Sequence, residues 1–198
     1  MRSRVLSVLA ASAALAPFMA QAEGLSYTYA EAAWLQSDIN EFDEDLGGFG
    51  LRASWEIVDH VFVFGRYADQ KTDARGGGEF KFQPWDLGVG YAYPVNESFD
   101  VYGTLSYSNI DADAPGQARN TSDDGYTLGV GGRTRLAEQL ELEGAVKYAN
   151  FSDYGDNTAF EFAARWFFTD AFAVGVEVTA GDEVDTLGAG VRYQFPAR

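Results

Sequence analysis

Along residues 25 to 195, apolar or aromatic side chains repeatedly alternate with glycine, small, polar and charged ones. This two-residue period belongs to β-strands with two unlike faces. In 47–57, Phe49, Leu51, Ala53, Trp55 and Ile57 share one face, and Gly48, Gly50, Arg52, Ser54 and Glu56 share the other. Trp85, Leu87, Val89, Tyr91 and Tyr93 stand in the same way against Asp86, Gly88, Gly90 and Ala92. Leu187, Ala189, Val191, Tyr193 and Phe195 stand against Gly188, Gly190, Arg192 and Gln194. The first face suits hydrocarbon. The second mixes glycines with charges, which suits the crowded interior of a small barrel better than the wet face of a soluble sandwich.

Short breaks at Val58-Asp59-His60, Pro94 to Ser98, Ala137-Glu138-Gln139 and Thr169-Asp170 alternate with polar stretches at 36–46, 69–79, 109–124, 152–157 and 181–185. They leave ten segments: 25–35, 47–57, 61–68, 80–93, 99–108, 125–136, 140–151, 158–168, 171–180 and 186–195. Each is near the roughly 9–11 residues that a tilted strand needs to cross a bilayer. The pattern predicts an all-β fold, a single antiparallel transmembrane β-barrel of ten strands. Eight strands is the alternative, reached only by merging two segments across an evident turn. Short turns on the periplasmic side and long loops outside would place both termini in the periplasm. In the first segment Tyr27, Tyr29 and Glu31 share a face. That face is turned inward, because a carboxylate facing lipid is costly.

Residues 1–22 read as a cleaved signal peptide: Arg2 and Arg4 give a basic start, Val5 to Phe18 are mostly apolar, and Ala20-Gln21-Ala22 is a small-x-small cleavage site. The barrel would occupy 23–198. From 23 onward no apolar run is long enough for a membrane helix. An exported chain of this kind is expected in the bacterial outer membrane, in contact with its lipid and as a monomer. There is no cysteine, hence no disulfide framework.

The net charge of −16 becomes −18 once the two signal arginines are gone, which argues against binding nucleic acid. Parity sends eight acids inward (Glu31, Glu56, Asp86, Asp100, Glu141, Glu143, Glu161, Glu177) and seven bases (Arg52, Arg66, Arg133, Arg135, Lys147, Arg165, Arg192). Near-neutrality predicts a network of paired charges filling a narrow lumen, because an unpaired buried ion is expensive to desolvate. The five polar stretches hold seventeen acids against Lys71, Arg75 and Arg119 within them and Lys81 at the edge of the second, a net −13. Such loops offer oxygen ligands to calcium or magnesium, but no calcium-loop pattern appears, so a solvated collar without a cofactor is expected.

The same segments place Tyr67, Trp85, Tyr107, Tyr126, Tyr148 and Phe160 near the loop ends of their strands, and Trp55, Tyr93, Phe99, Trp166, Phe172, Tyr193 and Phe195 near the turn ends. Two aromatic girdles of this kind flank the apolar band of membrane barrels. Candidate chemistry is sparse. The only histidine, His60, lies in a short turn, away from the loop rim where a barrel protease or lipid hydrolase would need it. The Gly-x-Gly stretches at Gly88 and Gly129 follow strand alternation and open no helix, so they are not nucleotide loops. No enzyme activity is expected.

The signal peptide, the ten segments and the closing Val191-Arg192-Tyr193-Gln194-Phe195 together resemble the superfamily of small outer-membrane barrels of the OmpA and OmpX kind. In that family a terminal aromatic strand is read by the barrel-assembly machinery; here Pro196, Ala197 and Arg198 follow it, a departure from the pattern. The opening Glu23-Gly24-Leu25-Ser26-Tyr27-Thr28-Tyr29 more narrowly resembles small barrels of plant-associated bacteria discussed as activators of a plant immune receptor and linked with biofilm. The resemblance, the neutral lumen and the acidic loops imply a structural and surface-interaction role in envelope integrity, adhesion or biofilm, with an extracellular partner the sequence does not identify. A narrow, porin-like, cation-preferring channel is the alternative.

Overall fold

A computed structural model describes residues 25–39, 45–73, 78–113, 121–182 and 184–196. Ten strands follow in chain order: β1 Tyr29–Ile39, β2 Asp45–Val58, β3 Val61–Asp73, β4 Glu79–Asn96, β5 Phe99–Asp113, β6 Thr121–Ala137, β7 Leu140–Phe151, β8 Gly155–Phe167, β9 Phe172–Gly181 and β10 Val184–Gln194. Each pairs antiparallel with its chain neighbours, and β1 pairs with β10 from Tyr29↔Gln194 to Ile39↔Val184, closing the barrel. The count is ten, and closure leaves no free sheet edge.

Alternation sets what each face meets. Outward positions carry large exposed apolar groups, Trp34 at 65% and Leu87 at 63% among them, which only a lipid surround would cover. Inward positions carry the buried polar and charged groups and a small aromatic cluster. Glycine lets the backbone of the neighbouring strand come close: a Cβ at Gly48 would drive into the carbonyl of Asp69 and approach Gln70 Cα to 2.7 Å.

One end of the barrel has tight connections. Asp59–His60, Glu97–Ser98 and Glu138–Gln139 join their strands as two-residue turns, each beside a register shift, at Glu56/Val58, Pro94/Asn96 and Arg135/Ala137. Such bulges add the local twist that a tight connection needs. His60 holds a left-handed φ of 69°. We call this the turn end and the opposite one the loop end.

Two sequence expectations are corrected. The strands run further toward the loop end than the segments 25–35, 61–68 and 99–108 imply, so Asp38, Asp45, Asp69, Asp111, Asp113, Asp123, Asp124 and Asp185 lie on paired strands and not in loops. Beyond the membrane both faces meet water, so the apolar alternation that marks a strand disappears while the hydrogen-bond ladder continues. The first strand also begins later, at Tyr29. Its predicted start, Leu25 to Thr28, leaves the sheet because Tyr27 buries its ring inside the barrel. The signal peptide at 1–22, Glu41, Asp43, Glu44, Arg75, Arg119, Glu183, Ala197 and Arg198 lie outside the described residues.

Candidate functional site

The lumen is filled by two connected tiers of ion pairs. The upper one begins with a row across four strands, in which Glu31, Arg52, Arg66 and Asp86 are successive Cα partners. Directly opposed like charges such as Arg52 and Arg66 repel, and carboxylates on every side offset this. Arg52 Nη2 donates to Glu177 at 3.1 Å, and its Nη1 lies 3.9 Å from Glu31. Arg66 pairs with Asp86 and donates to Glu161 at 3.1 Å. Lys147 also pairs with Glu161.

The lower tier, nearer the turn end, centres on Glu141, whose side chain is 0% exposed. Its carboxylate accepts from Arg133 Nη2 at 2.9 Å, Arg192 Nη1 at 3.2 Å and Arg135 Nη2 at 3.3 Å, and Arg165 lies 3.6 Å away. Glu31 accepts from Arg192 Nε at 2.6 Å and Arg165 Nε at 3.0 Å. Glu143 accepts from Arg165 Nη1 and from the Tyr102 hydroxyl, both at 2.7 Å. Rings cover the guanidiniums: Arg192 lies 3.7 Å from the Tyr29 centroid and Arg135 4.5 Å from that of Phe167, within cation–π range.

Beneath this tier the segment 25–28 tucks into the barrel. Tyr27 stacks on Phe62 at 4.6 Å, meets Tyr102 edge-on at 6.3 Å and lies under Arg133, whose Nη1 donates to the Ser26 carbonyl at 2.9 Å. The turn end is therefore closed by an aromatic layer below an ionic one. Above them, on the loop side, a cavity of about 280 Å³ remains. Its interior reaches Leu35, Phe82 and Ile110 as well as Arg52, Arg66, Asp86, Glu161 and Glu177.

Thirteen of the fifteen charges that parity sends inward thus meet in these tiers. Asp100 is buried opposite Arg133 in the β5–β6 register. Glu56 sits at a turn, where it accepts from the His60 N–H at 2.9 Å. His60 is exposed and its ring lies 6.3 Å from that of Tyr91. The inward-facing aromatics Phe62, Phe64 and Tyr102 escaped the sequence reading, although each alternates with an outward neighbour on its strand.

On the outer surface, aromatic contacts occur at both ends. Trp85 meets Tyr107 at 5.6 Å and Tyr67 meets Phe49 at 6.2 Å toward the loop end. Toward the turn end Phe172, Tyr193 and Phe195 form a chain at 4.8 and 4.9 Å, with Trp55 5.7 Å from Phe195. Tyr93, Phe99 and Trp166 lie at the turn ends of β4, β5 and β8, and Tyr126, Tyr148 and Phe160 toward the loop ends of β6, β7 and β8.

Past the loop-end aromatics the collar is ordered by its own contacts. Burial alone would raise the Asp123 carboxyl, but the Tyr154 and Asp153 N–H groups, each at 2.9 Å, hold it below its ordinary value. A hydrogen bond from Lys71, with Lys81 nearby, lowers the Glu79 carboxyl. Among the described residues no group of three or more histidines, cysteines or acids is placed to hold a metal ion.

The profile of the outer membrane protein beta-barrel domain matches residues 6–195. Curated proteins give no match. Among solved structures the chain is similar to Ail, the attachment invasion locus protein of Yersinia pestis, at 17% identity and TM-score 0.45, covering 88% of this chain and 100% of that one. OprG from Pseudomonas aeruginosa is similar at 14% and 0.49, over 88% and 99%. Neisserial surface protein A is similar at 15% and 0.44, over 84% and 95%. At these identities the likeness is one of fold.

Proposed function

The chain belongs to the outer-membrane β-barrel domain family and resides in the bacterial outer membrane, and from that premise we propose that it is a closed, non-catalytic barrel with a structural and surface-interaction role. The observation that carries this reading is the lower ionic tier: Arg133, Glu141, Arg165 and Arg192 cross the lumen with side chains between 0% and 3% exposed. Such a layer narrows the lumen to a cavity of about 50 Å³ beside Tyr27, Arg133 and Glu143, against about 280 Å³ above it, and ten strands are far fewer than the roughly 16–18 of water-filled porins. It disfavours the narrow cation channel.

In this reading the loops face outward, both termini face the periplasm, and the monomeric barrel is inserted by the assembly machinery after its signal peptide is cleaved. Its acidic collar then meets an extracellular partner in adhesion or biofilm, and the binding residues lie on loops held by a rigid wall. The likeness of residues 23–29 to barrels discussed as plant immune-receptor activators names one such partner class. Applying the purified folded protein to leaf tissue tests it, and absence of an immune response removes that partner.

The broader role is tested by deleting the gene. Increased detergent sensitivity together with weaker surface attachment is expected, both restored by the wild-type gene. Unchanged values of both remove the proposal.

A further inference from the structure

The cavity on the loop side of the upper ionic tier mixes apolar and acidic surface. Leu35 of β1, Phe82 of β4 and Ile110 of β5 supply the apolar part. On β8 and β9, Glu161 and Glu177 are inward diagonal neighbours, since Glu161 pairs with Thr179 and Ala163 with Glu177. With side chains 25% and 22% exposed they are the most open carboxylates of the tiers, ahead of Glu143, Asp86 and Glu31. Glu177 Oε1 and Leu35 Cδ2 each lie 3.0 Å from the place a Cβ at Gly188 would take, so the absence of a side chain there sets a carboxylate oxygen beside apolar surface.

The ion pairs of the tier leave part of these two carboxylates unused. Arg66 and Lys147 both bond Glu161 through Oε1, and Arg52 bonds Glu177 through Oε2. Glu161 Oε2 and Glu177 Oε1 accept no hydrogen bond from the described residues, and neither is buried. The cavity meets the carboxylates of Glu31, Asp86, Glu161 and Glu177 but only the guanidiniums of Arg52 and Arg66, while Lys147 faces the smaller cavity beneath. At the loop-end rim Asp45, Asp38 and Asp185 are successive Cα partners across β2, β1 and β10. Like charges along a cleft with low-dielectric walls focus the field and concentrate the opposite ion, so the cavity favours a cation.

We propose that this cavity is a binding pocket for a small organic cation, a primary ammonium on a compact apolar body, entering from the loop side. The ammonium donates to Glu161 Oε2 and Glu177 Oε1, and the body covers Leu35, Phe82 and Ile110. An ammonium carries donors and no acceptor, which matches carboxylate oxygens left without a donor. Paired carboxylates offset the desolvation of the incoming charge, whereas an anionic ligand would be repelled by all of them. The volume of about 280 Å³ is near the lower edge of small-ligand pockets, about 300 Å³, so the ligand is compact. The inference rests on the closed-barrel reading in one respect, that the pocket is a dead end.

The test titrates phenethylammonium into the full-length folded protein in zwitterionic micelles, by calorimetry, beside its neutral and anionic counterparts 2-phenylethanol and 3-phenylpropanoate. Saturable binding of the ammonium is expected, with the alcohol weaker by about tenfold or more, the worth of one charge-assisted hydrogen bond, and no binding of the carboxylate. Glu161→Gln and Glu177→Gln should each weaken the ammonium by about tenfold on the same ground. Ile110→Trp fills the cavity without touching an ion pair. It should abolish binding in a barrel that stays folded, and it decides the matter if either glutamine variant fails to fold. No saturable binding, equal binding of the alcohol, or ammonium binding that survives Ile110→Trp would overturn the pocket. Conductance of the same sample separates the two readings: a silent barrel that binds nothing removes the pocket alone, and a conducting barrel that binds the ammonium keeps the pocket and removes the dead end.

Discussion

Removing the Glu141 carboxylate tests whether the lumen is as closed as it looks. In Glu141→Ala four guanidiniums, from Arg133, Arg135, Arg165 and Arg192, lose a shared counter-ion that has no exposed surface. Breaking a buried pair by deleting one partner costs about 3–5 kcal/mol, because the charge left behind is both desolvated and unpaired. The lost methylene adds about 0.8 kcal/mol. A total near 5 kcal/mol lowers the ratio of folded to unfolded protein by roughly a few thousandfold. Glu141→Gln keeps the volume and one acceptor oxygen and should fall between wild type and alanine. Reversible urea unfolding in thin lipid vesicles, followed by the fluorescence of the four tryptophans, measures both. A loss below about 1 kcal/mol, the worth of a solvent-exposed ion pair, would refute the reasoning, since it would mean that water reaches the tier.

Gly48→Ala should prevent correct closure, because the added Cβ meets backbone and not a flexible side chain; the band that stays compact on an unheated gel would be lost. Tyr27→Ala should destabilise the barrel by about 3–4 kcal/mol, as large-to-small changes of a buried aromatic do. It should not admit ions, since the ionic tier above it is intact; unfolding and conductance check the two halves separately. The Asp123 carboxyl titrates below its ordinary value when folded, so its contribution is complete above about pH 4 and is lost only as pH falls through the lowered value. The Asp153 and Tyr154 amide resonances should therefore hold steady from pH 7 to about pH 4 and move below that, whereas Asp123→Asn should show displaced resonances already at pH 7.

Much of the barrel is legible in the sequence, since Trp55, Leu87 and Val191 on one face and Arg52, Asp86 and Arg192 on the other state which side meets lipid. Parity also turns both Glu31 and Arg192 into the one narrow lumen without any knowledge of register. What parity does not carry is height along the barrel or the partner of a given charge. That Glu141 gathers four arginines follows from strand stagger, which shifts the inward row as it passes from strand to strand. The loop-end extensions escape for a different reason: Asp111 and Asp123 pair as strand residues in water, where neither face needs to be apolar. Tyr27 is read correctly as inward, yet its departure from the sheet depends on Phe62 and Tyr102, which are distant in the chain.

The central claim is a barrel whose lumen does not conduct. Recording purified, β-rich protein in a planar lipid bilayer under a salt gradient tests it most directly. A folded protein that adds no current above the bare membrane agrees with the closed tiers, and discrete cation-selective steps from the wild-type chain would contradict them.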